Sequence, residues 1–211
     1  MPKMLDLFCG TKSVSKAFAA AGWETYTVDW NKDFEPTLCA DIGTLTADDL
    51  IKLCGGKPDV VWMSPDCTSY SVAAIGRHRR KNTKTDELDP VSDYAKLCDT
   101  INSHIIDVVV NELKPTYWFI ENPRGGMRKM GFVRDFPRYT VTYCQYEMDK
   151  PVSQRRMKPT DIWTNHPKPN FKPPCKNGAP CHAPAPRGSN NSGTAGLRNA
   201  IERARIPEQL C

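Results

Sequence analysis

A chain of 211 residues, 39% hydrophobic and 25% charged, has the make-up of a soluble globular protein with one domain and at most an appendage. Its net charge of +5 admits an anionic partner without requiring one. No apolar run approaches the roughly 18 residues of a membrane span and no leader pattern opens the chain. Nine scattered cysteines, an odd number, read as free thiols in a reducing cytoplasm, bacterial or that of an infected host cell.

In chain order, KMLDLFCG predicts a short strand ending in glycine. SVSKAFAAAG predicts a helix closed by Gly22, with Val14, Ala17, Phe18 and Ala21 on one face. ETYTVDWN is a second strand with a carboxylate at its end. TADDLIKLCGG is a helix with Thr46 as its N-cap and Gly55 as its stop. PDVVWM is a buried strand that runs into SPDCTSYS, so Cys67 stands just beyond a strand's carboxyl end. Residues 76–90, GRHRRKNTKTDELDP, are polar and without period and read as a mobile loop.

Between Val91 and Leu113 the apolar positions Tyr94, Leu97, Ile101, Ile105 and Val108 recur at helical spacing. TYWFIENP is a strand that stops at Pro123, and YTVTYCQY and TDIWTN are two more, expected as antiparallel neighbours at the far side of the sheet. Residues 165–192, rich in Pro, Gly, Asn and Ser, read as an extended loop, and TAGLRNAIERA as a final helix. Alternation of strand and helix predicts an α/β fold, a single doubly wound, Rossmann-like sheet, mostly parallel with antiparallel strands at one side.

The chemistry-bearing residues collect at the carboxyl ends of those strands, where open α/β sheets place their ligand crevice. The glycine turn FCGTKS, the pair Asp29–Trp30, Asp41, Cys67 and Glu121 arrive in that order. A glycine turn followed some twenty positions on by an acid suits a nucleoside with ribose hydroxyls, although the turn is not the dinucleotide GxGxxG pattern.

These stretches resemble the DNA cytosine-5 methyltransferases. DLFCGTKSVSKAF is similar to that family's cofactor loop, VDW and ADI to its ribose- and adenine-contacting positions, and SPDCTSYS to its Pro-Pro-Cys catalytic motif. FIENPRG is similar to its Glu-Asn-Val strand and QRRMKPTDIW to its Gln-x-Arg-x-Arg motif. The resemblance implies a class I methyltransferase catalytic domain over residues 1–164, residues 165–192 in place of a target-recognition domain, and 193–211 as a C-terminal helix completing the catalytic domain. It implies S-adenosyl-L-methionine as cofactor, held by Phe8, Cys9, Gly10, Thr11, Lys12, Ser13, Asp29, Trp30, Asp41, Ile42 and Pro65. The substrate it implies is a cytosine flipped out of DNA. With so short a recognition segment, sequence readout would be weak or supplied by a protein partner.

Cytosine C5 is a poor nucleophile, and addition of a thiolate at C6 turns C5–C4 into an enamine able to attack a methyl group. Cys67 is the expected nucleophile, with a depressed pKa and cationic neighbours, and Glu121 the carboxyl group facing N3 and N4. By the resemblance Arg156 supports the base carbonyl, Gln154 orients neighbouring groups, and Lys158 replaces a second arginine. Arg77, Arg79, Arg80, Lys81 and Arg124 are the expected phosphate contacts, against the alternative of a solvated basic loop.

Asp66 stands where the family has a second proline, Pro123 where it has valine, and Lys12 where it has glycine. Lys12 either points to solvent or pairs with the cofactor's own carboxylate, or selects a cofactor with an added carboxylate. Cys175, Cys181 and His182, with Cys144 or Cys211 as a fourth ligand, have the donor types of a zinc site. Their spacing matches no recognised knuckle, and the expectation is no metal. Two other functions stay open: an RNA cytosine-5 methyltransferase and a catalytically silent nucleic-acid- or cofactor-binding subunit.

Overall fold

A computed structural model describes residues 1–184, 197 and 199–211. Its frame is a seven-stranded sheet in the order β3-β2-β1-β4-β7-β9-β8. The strands are β1 (Lys3–Leu7), β2 (Glu24–Asp29), β3 (Leu38–Cys39), β4 (Val60–Met63), β7 (Tyr117–Pro123), β8 (Arg138–Thr142) and β9 (Pro159–Thr164). Strand β1 pairs in parallel with β2 and β4, β2 with β3, and β4 with β7. Strand β9 runs antiparallel between β7 and β8. The sheet is mostly parallel with its antiparallel pairing confined to one side, as the sequence predicts.

Period-two alternation along β4 explains why its run VVWM is apolar throughout. Val61 and Met63 enter a core with Leu5, Leu7, Ile120, Leu50 of α2 (Ala47–Leu53) and Ile105 of α4 (Asp93–Asp107). Val60 and Trp62 face the opposite side, with Met4, Ile162, Val14 of α1 (Ser13–Ala20), and Ile206 and Leu210 from the chain's last turn. Helix α2 begins in a capping box, Thr46 and Asp49 each bonding the other's backbone N–H. Gly22 and Gly55 follow their helices at positive φ, as expected of glycine stops.

Three expectations are corrected. Residues 76–90 are not a structureless loop: α3 (Ile75–His78) leads into an antiparallel hairpin, β5 (Arg79–Lys81) with β6 (Leu88–Pro90). The Asn82 side chain organises its turn by accepting from the N–H groups of Lys84 and Thr85. On α4 the buried face is Ala95, Cys98, Asn102, Ile105 and Ile106, while Tyr94 and Leu97 are exposed. A polar Asn102 sits in that face because it donates to the Tyr70 hydroxyl at 3.0 Å. Finally, YTVTYCQY is a strand only to Thr142; Tyr143–Tyr146 form a tight turn. Of the predicted last helix the described residues include α5 (Ala200–Ala204); residues 194–196 and 198 lie outside them, as do 185–192 of the segment read as an extended loop.

Close approach rather than dihedral freedom fixes Gly125. A Cβ there would meet the Tyr70 carbonyl oxygen at 2.5 Å, so the loop after β7 presses directly on the turn that follows Cys67. Gly125→Ala is expected to lower stability by about 1–3 kcal/mol, the usual cost of overpacking. A urea midpoint equal to wild type would show that the two loops are not in contact.

Candidate active site

Register sets the site. Leu7 pairs with both Val28 and Met63, and Met63 with Ile120, so β1, β2, β4 and β7 are level at these residues. The next residues, Phe8, Asp29, Ser64 and Glu121, therefore open onto one crevice. The loop ends are stitched to one another, Cys9 N–H to the Val28 carbonyl at 3.1 Å and Ser64 N–H to the Leu7 carbonyl at 3.2 Å.

The turn from β1 to α1 is strained. Phe8, Gly10 and Lys12 all have positive φ, at 59°, 47° and 59°. For two non-glycine residues this costs roughly 1–3 kcal/mol each, a burden typical of ligand-binding turns. Asp29 holds the turn: its carboxylate accepts from Gly10 N–H at 3.0 Å and Asn31 N–H at 2.9 Å. Beside it Trp30 is 74% exposed. Lys12 donates its ammonium to the Glu35 carbonyl. Ser13 Oγ accepts from Ile206 N–H at 3.2 Å, docking the chain's last turn on this loop. Thr11 is half-buried, Asp41 is exposed with its carboxylate capping Gly43 N–H, and Ile42 is packed in the core. Burial, with Asp6 and Asp29 nearby, pushes the Cys9 thiol up to about 12.

Sequence reasoning passed over Asp6. It is buried at the end of β1, accepts from Ser15 N–H at 3.2 Å, and burial raises its pKa to about 7. Its only signal was its place inside DLF.

Cys67 is half-buried on the turn after β4, at the start of a 3-10 turn over Thr68–Tyr70. Pro65 is buried, and its carbonyl accepts from the Asn122 side chain at 3.0 Å, tying this turn to β7. Asp66 turns away into its own loop and accepts from Thr68 N–H at 2.7 Å. The thiol was expected to be depressed; in the free protein it is instead pushed up to about 11. Burial is the largest cause, Lys158 opposes it, and Glu121 and Asp66 add to it.

Glu121 is buried beside this turn and receives a hydrogen bond from the Tyr143 hydroxyl at 2.8 Å. Burial and Glu121 hold that phenol well above its ordinary pKa, so it stays a donor. Tyr143, read in the sequence as part of a strand, belongs to the site. Lys158 lies over its ring at 4.7 Å and donates to the Arg203 carbonyl at 3.0 Å.

Arg156, expected against a base carbonyl, is occupied elsewhere. It is buried against Glu147, whose Oε1 accepts from Nε at 2.7 Å, and Nη1 donates to the carbonyls of Glu202 and Arg205 at 2.9 Å each. Burial alone would raise Glu147, but the bonds from Arg156 and Lys150 outweigh it and its pKa lies below the ordinary value. Gln154 is exposed on a turn and is not brought to Cys67.

Of the expected phosphate contacts, Arg77, Arg80, Lys81 and Arg124 are exposed, Lys81 pairing with Asp86 at 3.0 Å. Arg79 is not available: it is 2% exposed and fully engaged. Its guanidinium bonds Asp99 twice, at 2.9 and 2.7 Å, the Ser69 carbonyl at 3.0 Å and hydroxyl at 2.8 Å, and the Leu88 carbonyl at 3.1 Å. It also stacks on Tyr70, 4.1 Å from the ring centre. Of the residues with metal-donor side chains, Cys144, Cys175, Cys181 and His182 are brought together, whereas Cys211 is apart from them, near Asp6 and Glu121.

This sheet order, with loops of one crevice bearing a cysteine and a carboxyl group, defines a methyltransferase-type α/β fold. Solved structures share it. The Entamoeba histolytica methyltransferase EhMeth superposes with a TM-score of 0.55 at 12% identity, over 82% of this chain and 55% of that one. A putative DNA modification methyltransferase from an Escherichia coli prophage gives 0.53 at 16% identity, over 78% and 46%. The chain thus spans about half the length of these structures. No protein-family profile matches it. The probable DNA (cytosine-5)-methyltransferase of Frog virus 3 (isolate Goorha) is 30% identical over 171 residues, 77% of this chain and 70% of that protein. The chain belongs to the DNA (cytosine-5)-methyltransferase family.

Arg79→Met is expected to cost about 3–5 kcal/mol in urea unfolding, because it leaves Asp99 and three other acceptors without their donor. The exposed neighbour Arg80→Ala should cost less than about 0.5 kcal/mol. Equal, small effects at both positions would return Arg79 to the surface.

Proposed function

We propose that the protein transfers a methyl group from S-adenosylmethionine to C5 of cytosine in DNA, with Cys67 adding covalently to C6. The observation that carries this reading is that the turn bearing Cys67 is tied to the strand bearing Glu121, the Asn122 side chain donating to the Pro65 carbonyl at 3.0 Å, with Glu121 buried beside that turn. A nucleophile beside a carboxyl group is what addition to an electron-poor ring requires.

The β1–α1 loop fits a nucleoside-bearing cofactor. A Cβ on Gly10 would meet nothing within 4 Å, so the space over the turn is open, and Trp30 offers an exposed ring beside Asp29. Each Asp29 oxygen has lone pairs left after its backbone bond, enough to accept from ribose hydroxyls. Bound there, S-adenosylmethionine would supply an electrophilic methyl group. Lys12 is accounted for without a second carboxylate: it sits at a left-handed φ, where glycine is easiest, and its ammonium already has the Glu35 carbonyl. The unmodified cofactor is therefore the reading adopted.

The remaining steps belong to this chain's residues. Cys67 Sγ adds to C6 while its proton passes, by way of Glu121, to N3 of the base. Glu121, fixed by the Tyr143 hydroxyl, faces N3 and N4 and relays that proton, so the ring gains no net charge as C6 is attacked. Once C5 carries the methyl group, its proton passes to water, Cys67 is eliminated and the N3 proton returns through Glu121 to the thiol. Lys158, the cation that acts on Cys67, takes the supporting role expected of Arg156. Arg77, Arg80, Lys81 and Arg124 are exposed and so accessible to phosphates around a flipped base.

DNA containing 5-fluorocytosine, incubated with cofactor, should trap an adduct at Cys67 that Cys67→Ser does not form. Glu121→Gln should slow transfer about 10²–10⁴-fold while DNA binding changes little. Nucleoside mass spectrometry of DNA and RNA reads the product: near wild-type turnover by the serine variant refutes covalent addition. 5-Methylcytosine appearing only in RNA moves the substrate.

Titration gives a second test. Alkylation of Cys67 in the free protein should be slow at pH 7 and climb towards pH 11. Lys158→Ala should move that curve to higher pH and Glu121→Gln to lower pH, since the lysine favours the thiolate and the glutamate opposes it. A midpoint near 7 in wild type would contradict this electrostatic picture.

A further inference from the structure

We propose that Cys144, Cys175, Cys181 and His182 form a structural zinc site that pins residues 165–184 to the end of the sheet. The one ligand atom each side chain offers, three Sγ and Nδ1, all lie within 4.8 Å of one another. Thiolates about 2.3 Å from a tetrahedral zinc lie about 3.8 Å apart, and thiolate and imidazole nitrogen about 3.6 Å apart. Cys181 and Cys144 are separated by 3.9 Å, and His182 Nδ1 is 3.6 Å from Cys175 and 3.4 Å from Cys181. Cys144 and Cys175, at 3.0 Å, need to open by less than 1 Å.

The backbone builds this convergence. Cys144 is buried in the tight turn that ends β8. Cys175 is brought beside it by its own N–H, which donates to Thr142 Oγ1 at 2.9 Å. Ala179 N–H then bonds the Lys176 carbonyl, and Gly178, at φ 86°, reverses the chain so that Cys181 and His182 return to the same spot. His182 is 1% exposed, its Nε2 has no partner among the described residues, and its Nδ1 meets the sulfurs of Cys175 and Cys181. All three cysteines are free thiols, and Cys175 and Cys181 are half-buried, leaving a path for a metal to enter.

The site has something to hold. Residues 165–184 carry six prolines and have no helix or strand. At its start the segment is held by Asn165, which bonds Trp118 N–H and the Thr116 carbonyl, and by His166, packed on Tyr117 at 4.5 Å; from residue 167 on, Phe171, which packs on the second core, and His182 are its buried anchors, joined by polar contacts. Lys172 N–H bonds the Tyr146 hydroxyl at 2.6 Å, and Ala183 N–H bonds the Val152 carbonyl at 3.2 Å. A segment with so little burial gains its order from ligation, as small metal-stapled modules do. Because Ala183 lies against the turn that precedes Arg155 and Arg156, the zinc would fix that turn too.

The full chain, purified in reducing buffer, should contain one zinc per molecule by elemental analysis. Cobalt(II) exchange should give the strong visible bands and thiolate charge-transfer absorption of a tetrahedral thiolate-rich site. Cys181→Ala and His182→Ala should lower metal content at least tenfold, and Cys211→Ser should leave it unchanged. His182→Cys should keep the metal, with the cobalt spectrum shifted towards four thiolates; this holds the test open if the alanine variants fold poorly. Chelation should lower the melting temperature by roughly 5 °C or more and expose residues 165–184 to protease, both reversed by zinc. No zinc and no cobalt band in a folded protein, metal indifferent to Cys181→Ala, or a Cys144–Cys175 disulfide surviving reducing purification would overturn the proposal.

Discussion

A buried guanidinium shapes the region around Cys67. Arg79 can sit at 2% exposure only because every direction in which it donates is met, two bonds to Asp99 and the rest to Ser69 and Leu88. Those partners come from α4, from the turn directly after Cys67 and from β6, so one side chain determines how three elements meet. Tyr70 completes the knot, stacked on the guanidinium and bonded through its hydroxyl to Asp99 at 2.6 Å. Because Gly125 presses on the Tyr70 carbonyl, the loop carrying Arg124 inherits the same position. The turn bearing Cys67 is thus held by charge pairing and close backbone contact more than by apolar packing.

Arg156 repeats this physics on the other side of Cys67. Its pair with Glu147 leaves Nη1 for two carbonyls near the chain's end, so the arginine gathers the C-terminal turn instead of facing a ligand. Lysine and arginine are not interchangeable here. The planar fork of Arg156 satisfies a carboxylate and two carbonyls at once, whereas the point charge of Lys158, anchored by one carbonyl, keeps its field directed at Cys67.

The central sheet was legible because its signals are local. An apolar run such as VVWM, a glycine after a helix, or Thr46 with Asp49 three residues on fixes an element without reference to the rest of the chain. The placement of Cys67 just past β4 was legible for the same reason. What escaped depends on partners distant in sequence. The hairpin over 79–90 pairs Arg80 with Asp89 and Arg79 with Pro90, residues with little strand propensity, and is secured by Asp99. Asn102 on the buried face of α4 broke the apolar stripe because its partner, Tyr70, is 32 residues away. Charge in a sequence reads as surface; only the fold reveals which cations have been taken inside.

The C-terminal turn shows why the two halves of the crevice are not independent. Ile206 N–H bonds Ser13 beside the strained β1–α1 turn, Arg205 and Glu202 bond Arg156, and the Arg203 carbonyl holds the Lys158 ammonium. The cation that favours the Cys67 thiolate is therefore positioned by the same stretch of chain that buttresses the loop read as the cofactor cradle. On the mechanism proposed above, a thiol held up at about 11 ionises at neutral pH through changes that come with substrate, such as a shift of Lys158 or passage of its proton by way of Glu121 to N3 of the base. On that reading nucleophile activation and base recognition are one event, and a thiol that stays protonated until a cytosine arrives is shielded from alkylation and oxidation in the free protein.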